Sequence, residues 1–118
     1  MRFSAWREIA RYAVTCPSPH NTQPYRLRLV SSSEAEIVFL PRRGLPVGDP
    51  LGRFTWLTAG IFAEICSIAA HSLGYELQRE WRFHPFYDNG DITTPQAVCS
   101  LKLVPAAGAV PEIGRAHV

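Results

Sequence analysis

Several common kinds of site find no material in this chain. There are three cysteines, Cys16, Cys66 and Cys99, far apart and with no Cys-x-x-Cys pair. That argues against a disulfide framework or a zinc site and fits a reducing cytoplasm. Neither a Walker pattern nor Gly-x-Gly-x-x-Gly occurs, so no glycine loop can cradle a phosphate. His20, His71 and His84 lie far apart and none has a paired ligand at i+4, so no metal site is expected. The net charge of +2 is small, the arginines are scattered, and no aromatic-basic stripe is present, which argues against nucleic acid. The start, Met1-Arg2-Phe3-Ser4, leads into an amphipathic helix pattern and not a signal peptide.

What is present describes one soluble globular domain. The chain has 118 residues, 47% of them hydrophobic and 19% charged. Ten prolines and eight glycines call for many turns. Ser4 can cap a helix running to about Val14, with Trp6, Ile9, Ala10, Ala13 and Val14 on one face. Tyr25, Leu27 and Leu29 alternate with Arg26, Arg28 and Val30, the pattern of a half-buried strand. A polar turn over 31–36 leads to a second strand, Ile37–Leu40, its expected hairpin partner.

Asp49 followed by Pro50 reads as an N-cap with proline at the first helical position. The longest helix is expected from there to Leu73, closed by Gly74. Phe54, Leu57, Ile61, Phe62, Ile65, Ile68, Ala69 and Leu73 make it apolar nearly all round, with Glu64 the single charge between Arg53 and His71. Such a helix is buried in a core, a subunit interface or a membrane. A central acid costs about 2.5–3.5 kcal/mol on insertion into a bilayer, so a helix buried between subunits fits better. Glu64 then needs a buried partner or a place at the interface edge. Strands are expected over Tyr75 to about Phe83 and over Ala97–Val104, the latter with Cys99, Leu101 and Leu103 facing opposite to Val98, Ser100, Lys102 and Val104. The fold class is α+β, an antiparallel sheet with a long buried central helix.

The tail Glu112-Ile113-Gly114-Arg115-Ala116-His117-Val118 matches the translation of a common sequencing adapter. The natural domain is therefore expected over 1–111, as the front part of a longer protein, with 112–118 not natural sequence.

One stretch invites a ligand. In Cys16-Pro17-Ser18-Pro19-His20-Asn21-Thr22-Gln23-Pro24-Tyr25, three prolines stiffen the backbone and exclude helix. Between them Ser18, His20, Asn21, Thr22 and Gln23 offer hydrogen bonds to a flat, heteroatom-rich partner. The plain alternative is a polar connector between a helix and a strand. A Cys16–His20 nucleophilic pair lacks a third, orienting group. No complete protein-only active site is visible, so the reactive atom of an enzyme built on this chain belongs to a cofactor.

Residues 17–25, preceded by a helix ending Ala13-Val14-Thr15-Cys16, resemble the nitroreductase superfamily of flavin enzymes. That family carries an Ala-Pro-Ser-x-x-Asn-x-Gln-Pro-Trp core, from which Cys16 and Tyr25 depart. The segments Leu45–Arg53, Gly60–Ile65 and Ala69–Tyr75 are similar to its divergent Acg-like branch. The resemblance implies a partial nitroreductase-like fold and non-covalent FMN at a dimer-like interface, with Pro17, Ser18, Pro19, His20, Asn21 and Gln23 as flavin contacts. It implies hydride passing from NAD(P)H to the flavin and on to a nitroaromatic, quinone or similar acceptor. The implied partner is a second copy or a second nitroreductase-like half, across which the long helix packs. The usual Arg-x-Ser-x-Arg phosphate grip is absent, only Arg7 and Arg11 standing in that helix. The alternatives are a non-catalytic protein that keeps the fold for flavin storage or partner binding, and a small helix-mediated dimerisation module.

Overall fold

A computed structural model describes residues 2–14, 24–44, 48–49, 51–87 and 93–106. The loop over 15–23, the segment 45–47 and the tail lie outside the described residues. The elements are α1 (Arg2–Ala13), β1 (Tyr25–Leu29), β2 (Glu34–Phe39), α2 (Arg53–Ser72), β3 (Tyr75–Trp81) and β4 (Gln96–Pro105). The four strands form one antiparallel sheet in the order β1-β2-β4-β3. Two hairpins thus lie side by side, joined where β2 pairs β4, and the two helices form the second layer.

Alternation along each strand sorts the faces. The row Leu27, Ile37, Cys99 and Trp81 crosses the helix-facing side, next to Ala35, Leu101, Leu77 and Leu103. Against it pack Trp6 and Ile9 of α1 and Ala59, Phe62, Ala63, Cys66 and Ala70 of α2, all essentially buried. Burial of each large side chain in this layer contributes roughly 1.5–3 kcal/mol. The Trp6 indole N–H also donates to the Ser32 carbonyl at 3.1 Å, tying α1 to the β1–β2 turn. The outer face is polar. There Glu36 accepts from Arg28 at 2.7 Å and lies 3.1 Å from Arg82, whose guanidinium also donates to Ser100.

Several local expectations change. Ser4 lies inside α1, which already begins at Arg2, and Val14 stands 59% exposed. β2 starts at Glu34, so the turn is shorter than the run of serines and acids suggests. β3 stops at Trp81, and Phe83 is 75% exposed. Val98 is fully buried although alternation places it on the outer face. Pairing passes from Ile37↔Cys99 to Val38↔Ala97, so Val98 is the extra residue of a β-bulge and turns inward.

The long helix shows the largest difference. It begins at Arg53, four residues after Asp49, and its N-cap is Gly52 in the left-handed region (φ 72°). Its other end follows expectation: Gly74 takes φ 88° and donates its N–H to the His71 carbonyl. Glu64 is not a buried acid. Its side chain is 59% exposed and lies 3.3 Å from Arg79, which reaches over from β3. Nor is α2 covered all round within this chain: Phe54, Leu57, Ile61 and Ile68 are exposed.

Two glycines give opposite predictions. A Cβ at Gly52 would meet the Phe86 ring, and the positive φ disfavours any L side chain. Gly52→Ala is therefore expected to lower stability by about 2 kcal/mol or more, read as a fall in denaturation midpoint. A Cβ at Gly60, inside α2, meets nothing within 4 Å. Gly60→Ala is expected to raise the stability of the chain by roughly 0.5–1 kcal/mol, from helix propensity alone.

Candidate functional site

The topology gathers three irregular connections at one end of the sheet. Tyr25 at the start of β1 pairs with Phe39 at the end of β2, and Phe39 pairs with Gln96 at the start of β4. Trp81 at the end of β3 pairs with Cys99 close by. The connections over 15–23, 40–52 and 82–95 therefore all leave from this end, while the opposite end carries the short turn over 30–33 and the tight α2–β3 link.

All the sequence-derived flavin contacts, Pro17, Ser18, Pro19, His20, Asn21 and Gln23, lie outside the described residues. Where their loop rejoins the sheet is well defined. Pro24 is buried, and its carbonyl accepts the Leu40 N–H at 2.6 Å. Tyr25 is 4% exposed, with its ring 5.8 Å from Phe39 and 5.7 Å from Phe62. The Tyr25 hydroxyl donates to the Thr55 carbonyl in the first turn of α2. The Tyr25 hydroxyl thus pins the start of β1 onto α2.

The first turn of α2 is held by Asp49. Its carboxylate accepts from the Thr55 N–H at 2.9 Å, the Thr55 hydroxyl at 2.7 Å and the Phe54 N–H at 3.4 Å. Asp49 does cap the helix, but from beyond Gly52 instead of as the adjacent residue. Burial pushes its carboxyl up, and the hydrogen bonds from Thr55, Phe54 and Arg53 outweigh that and hold it below the usual range. The amides that a helix N-terminus offers to an anion are already taken here.

Beside this turn stands an aromatic cluster. Trp56 lies 4.6 Å from Phe86, 5.0 Å from Phe83 and 6.4 Å from Trp81, and Phe86 lies 4.4 Å from Phe39. His84 meets Trp56 and Phe86 edge-on, with each ring nitrogen 3.1 Å from a backbone carbonyl, Pro85 on one side and Ala97 on the other. Leu51, Trp56, Phe83, His84, Pro85, Phe86 and Tyr87 line an open concavity of about 730 Å³. Arg42 and Arg53 at this end are exposed and make no ion pair among the described residues. Arg11, by contrast, is paired with Glu8 at 2.8 Å on α1. The end of the molecule thus offers aromatic surface for a planar ring and cationic side chains for an anionic group.

Sequence reading missed this cluster. The only signal was the density of aromatic residues in Trp81-Arg82-Phe83-His84-Pro85-Phe86-Tyr87, which gives no hint that Trp56 completes it. Neither described cysteine lies at this site. Cys66 and Cys99 are buried, and burial pushes the Cys99 thiol up to about 11, so it stays protonated and unreactive at neutral pH. Among the described residues no three His, Cys, Asp or Glu side chains converge as metal ligands would.

This layered arrangement is a nitroreductase-type fold. The chain superposes with a TM-score of 0.63 on a provisionally assigned nitroreductase from Desulfovibrio desulfuricans solved in complex with FMN, over 91% of this chain and 76% of that one at 14% identity. A provisionally assigned NAD(P)H:FMN oxidoreductase from Staphylococcus epidermidis superposes with a TM-score of 0.56, over 91% and 78% at 13% identity. In sequence, the chain is 39% identical over 70 residues to proteins of two Mycobacterium tuberculosis strains provisionally named NAD(P)H nitroreductases. The matched residues are 59% of this chain and 20% of the length of each relative. No protein-family profile matches the chain.

Asp49 gives the testable consequence. Its folded pKa lies below the unfolded value, so the unfolded chain binds the extra proton and stability rises with pH across that interval. The contribution is fully present above about pH 4 and is lost as pH falls through the lowered folded value. Asp49→Asn is expected to cost roughly 1–2 kcal/mol at neutral pH and to flatten the acid limb of stability against pH. Urea midpoints measured from pH 2 to 7 on both proteins check it, and parallel acid limbs would refute it.

Proposed function

We propose that this chain is part of an FMN-dependent oxidoreductase of the nitroreductase type. The observation that carries the reading is the placement of the loop's return. Tyr25 is pinned to the first turn of α2 and the Pro24 carbonyl is held by the Leu40 N–H, at the end where an aromatic concavity and exposed arginines lie together. The fold of FMN-associated proteins and the naming of the mycobacterial relatives support it.

The flavin contacts in this reading are Pro17, Ser18, Pro19, His20, Asn21 and Gln23, together with the aromatic concavity. Bound FMN would supply two-electron chemistry, accepting hydride from NAD(P)H and delivering it to a nitroaromatic, a quinone or a similar acceptor. The chain's share is to hold the ring by the stiff loop, exclude water with the aromatic cluster, and keep Asp49 committed to α2 so that no bare carboxylate opposes the reduced, anionic ring. The site is completed by a second copy or a second nitroreductase-like half, and the setting is the cytoplasm.

A second reading draws on the exposed apolar face of α2. In it the fold serves association, with flavin stored or absent and no turnover. The two separate by measurement. FMN titrated into the associated protein is expected to lose fluorescence on binding. Asn21→Ala and Gln23→Ala are each expected to weaken binding by about tenfold, the worth of one hydrogen bond to a polar ligand atom. NADH or NADPH oxidation with a nitroaromatic acceptor then reports turnover. Binding without turnover favours the second reading, and absence of binding by the associated protein removes the first.

A further inference from the structure

The β-bulge at Val98 changes how the sheet is held together at its irregular end. Trp81 is the last residue of β3 in register, paired with Cys99. One backbone bond follows, from the Arg82 N–H to the Val98 carbonyl at 2.9 Å. Beyond it, side chains take over. His84 Nε2 lies 3.1 Å from the Ala97 carbonyl, and the Gln96 side-chain amide donates to the Phe86 carbonyl at 2.9 Å. The remaining Gln96 polar atom, Oε1, is buried and has no partner among the described residues. Residues 83–87 are therefore fastened to the start of β4 by two side chains. Those same residues make up five of the seven that line the aromatic concavity.

One of the two fasteners can gain or lose a proton. His84 Nδ1 lies 3.1 Å from the Pro85 carbonyl, just as Nε2 lies 3.1 Å from that of Ala97. A carbonyl oxygen only accepts, and a neutral imidazole has one N–H and one lone pair. The neutral ring satisfies one contact and turns its lone pair on the oxygen of the other. With both nitrogens protonated, the ring donates to both. Among the described residues no acid competes for those protons. Trp56 faces the ring from α2 and Phe86 from its own connection, at 5.8 and 5.7 Å between ring centres. On the α2 side the Asp49 carboxylate is taken by Thr55 and Phe54, and Arg53 is exposed. On the β3 side Arg82 is engaged with Glu36 and Ser100 on the outer face. From β4 come only the neutral Gln96 and the Ala97 carbonyl, and the connection itself adds the Tyr87 hydroxyl.

We propose that His84 is a proton-operated latch on the wall of the aromatic concavity. Carrying both ring protons, it bridges the Pro85 and Ala97 carbonyls and holds residues 83–87 against the start of β4. Loss of one proton gives up one of the two bonds, and the wall parts from β4 more often. Histidine titrates between about pH 5 and 8, so the latch is complete toward the acid end and is lost as pH rises. It goes beyond the flavin reading and operates without any ligand.

Hydrogen–deuterium exchange of the chain, read by mass spectrometry, tests it. Rates for residues 82–87 are compared at about pH 5 and about pH 8, each divided by the intrinsic rate at that pH. Opening is expected to be about tenfold more frequent at the higher pH, the worth of one hydrogen bond from a charged donor. Residues 99–103 of β4 are expected to show no such change. His84→Gln keeps a donor but has nothing to titrate, and is expected to abolish the difference. His71→Gln, exposed near the other end of α2, is expected to leave it intact. Nitrogen-15 spectra of the parent's His84 ring need no variant, and are expected to show two hydrogen-bonded N–H groups at the lower pH and one at the higher. Equal protection at both pH values overturns the proposal, as does a difference that survives His84→Gln or extends to residues 99–103. A His84 ring with a single N–H at the lower pH overturns it as well.

Discussion

The Asp49 carboxylate decides where α2 begins, and the position of nearly every other element follows from that. It binds the first-turn amides of the helix and the Thr55 hydroxyl. Gly52 makes this possible, because only a left-handed residue brings the chain round tightly enough for an acid three positions earlier to reach back. With the first turn fixed, the Thr55 carbonyl is presented to the Tyr25 hydroxyl and Trp56 is presented to Phe86. One hydrogen-bonded acid thus couples the start of β1, the long helix and the aromatic connection after β3. Loss of the helix's first turn would release all three together.

Most of the fold was legible because its patterns are local. Alternation in Tyr25–Leu29 and in Cys99–Leu103 needs no knowledge of partners, and Gly74 closes a helix by its own backbone freedom. The differences arise where distant residues decide. The Asp49-Pro50 pair signals a helix start in isolation, yet the αL turn at Gly52 delays it to Arg53. Val98 alternates correctly along its own strand, and only the mismatch with Val38 turns it inward. Glu64 looked buried because its sequence neighbours are apolar, but those neighbours divide between a core face and an open face, and Arg79 arrives from β3.

The polar, proline-rich stretch over 17–23 stands out in the sequence alone, and it lies outside the described residues. The aromatic cluster does not stand out in this way, since it needs Trp56 from a helix, Phe83 and Phe86 from a connection and Phe39 from a strand end. No periodicity in one segment encodes a meeting of three. The outer sheet face is similar: Arg28, Glu36 and Arg82 come from three strands, and their ion pairs appear only with the register.

The two buried thiols have a practical consequence. Cys66 on α2 and Cys99 on β4 are both fully enclosed and belong to different layers of the same core. Neither meets an alkylating reagent unless its surroundings open, so the labelling rate of each measures how often that part of the molecule breathes. If the helix layer lifts from the sheet as a unit, both react at one rate. If α2 frays first, Cys66 reacts ahead of Cys99. The chain therefore carries its own paired clocks for the order in which its layers separate.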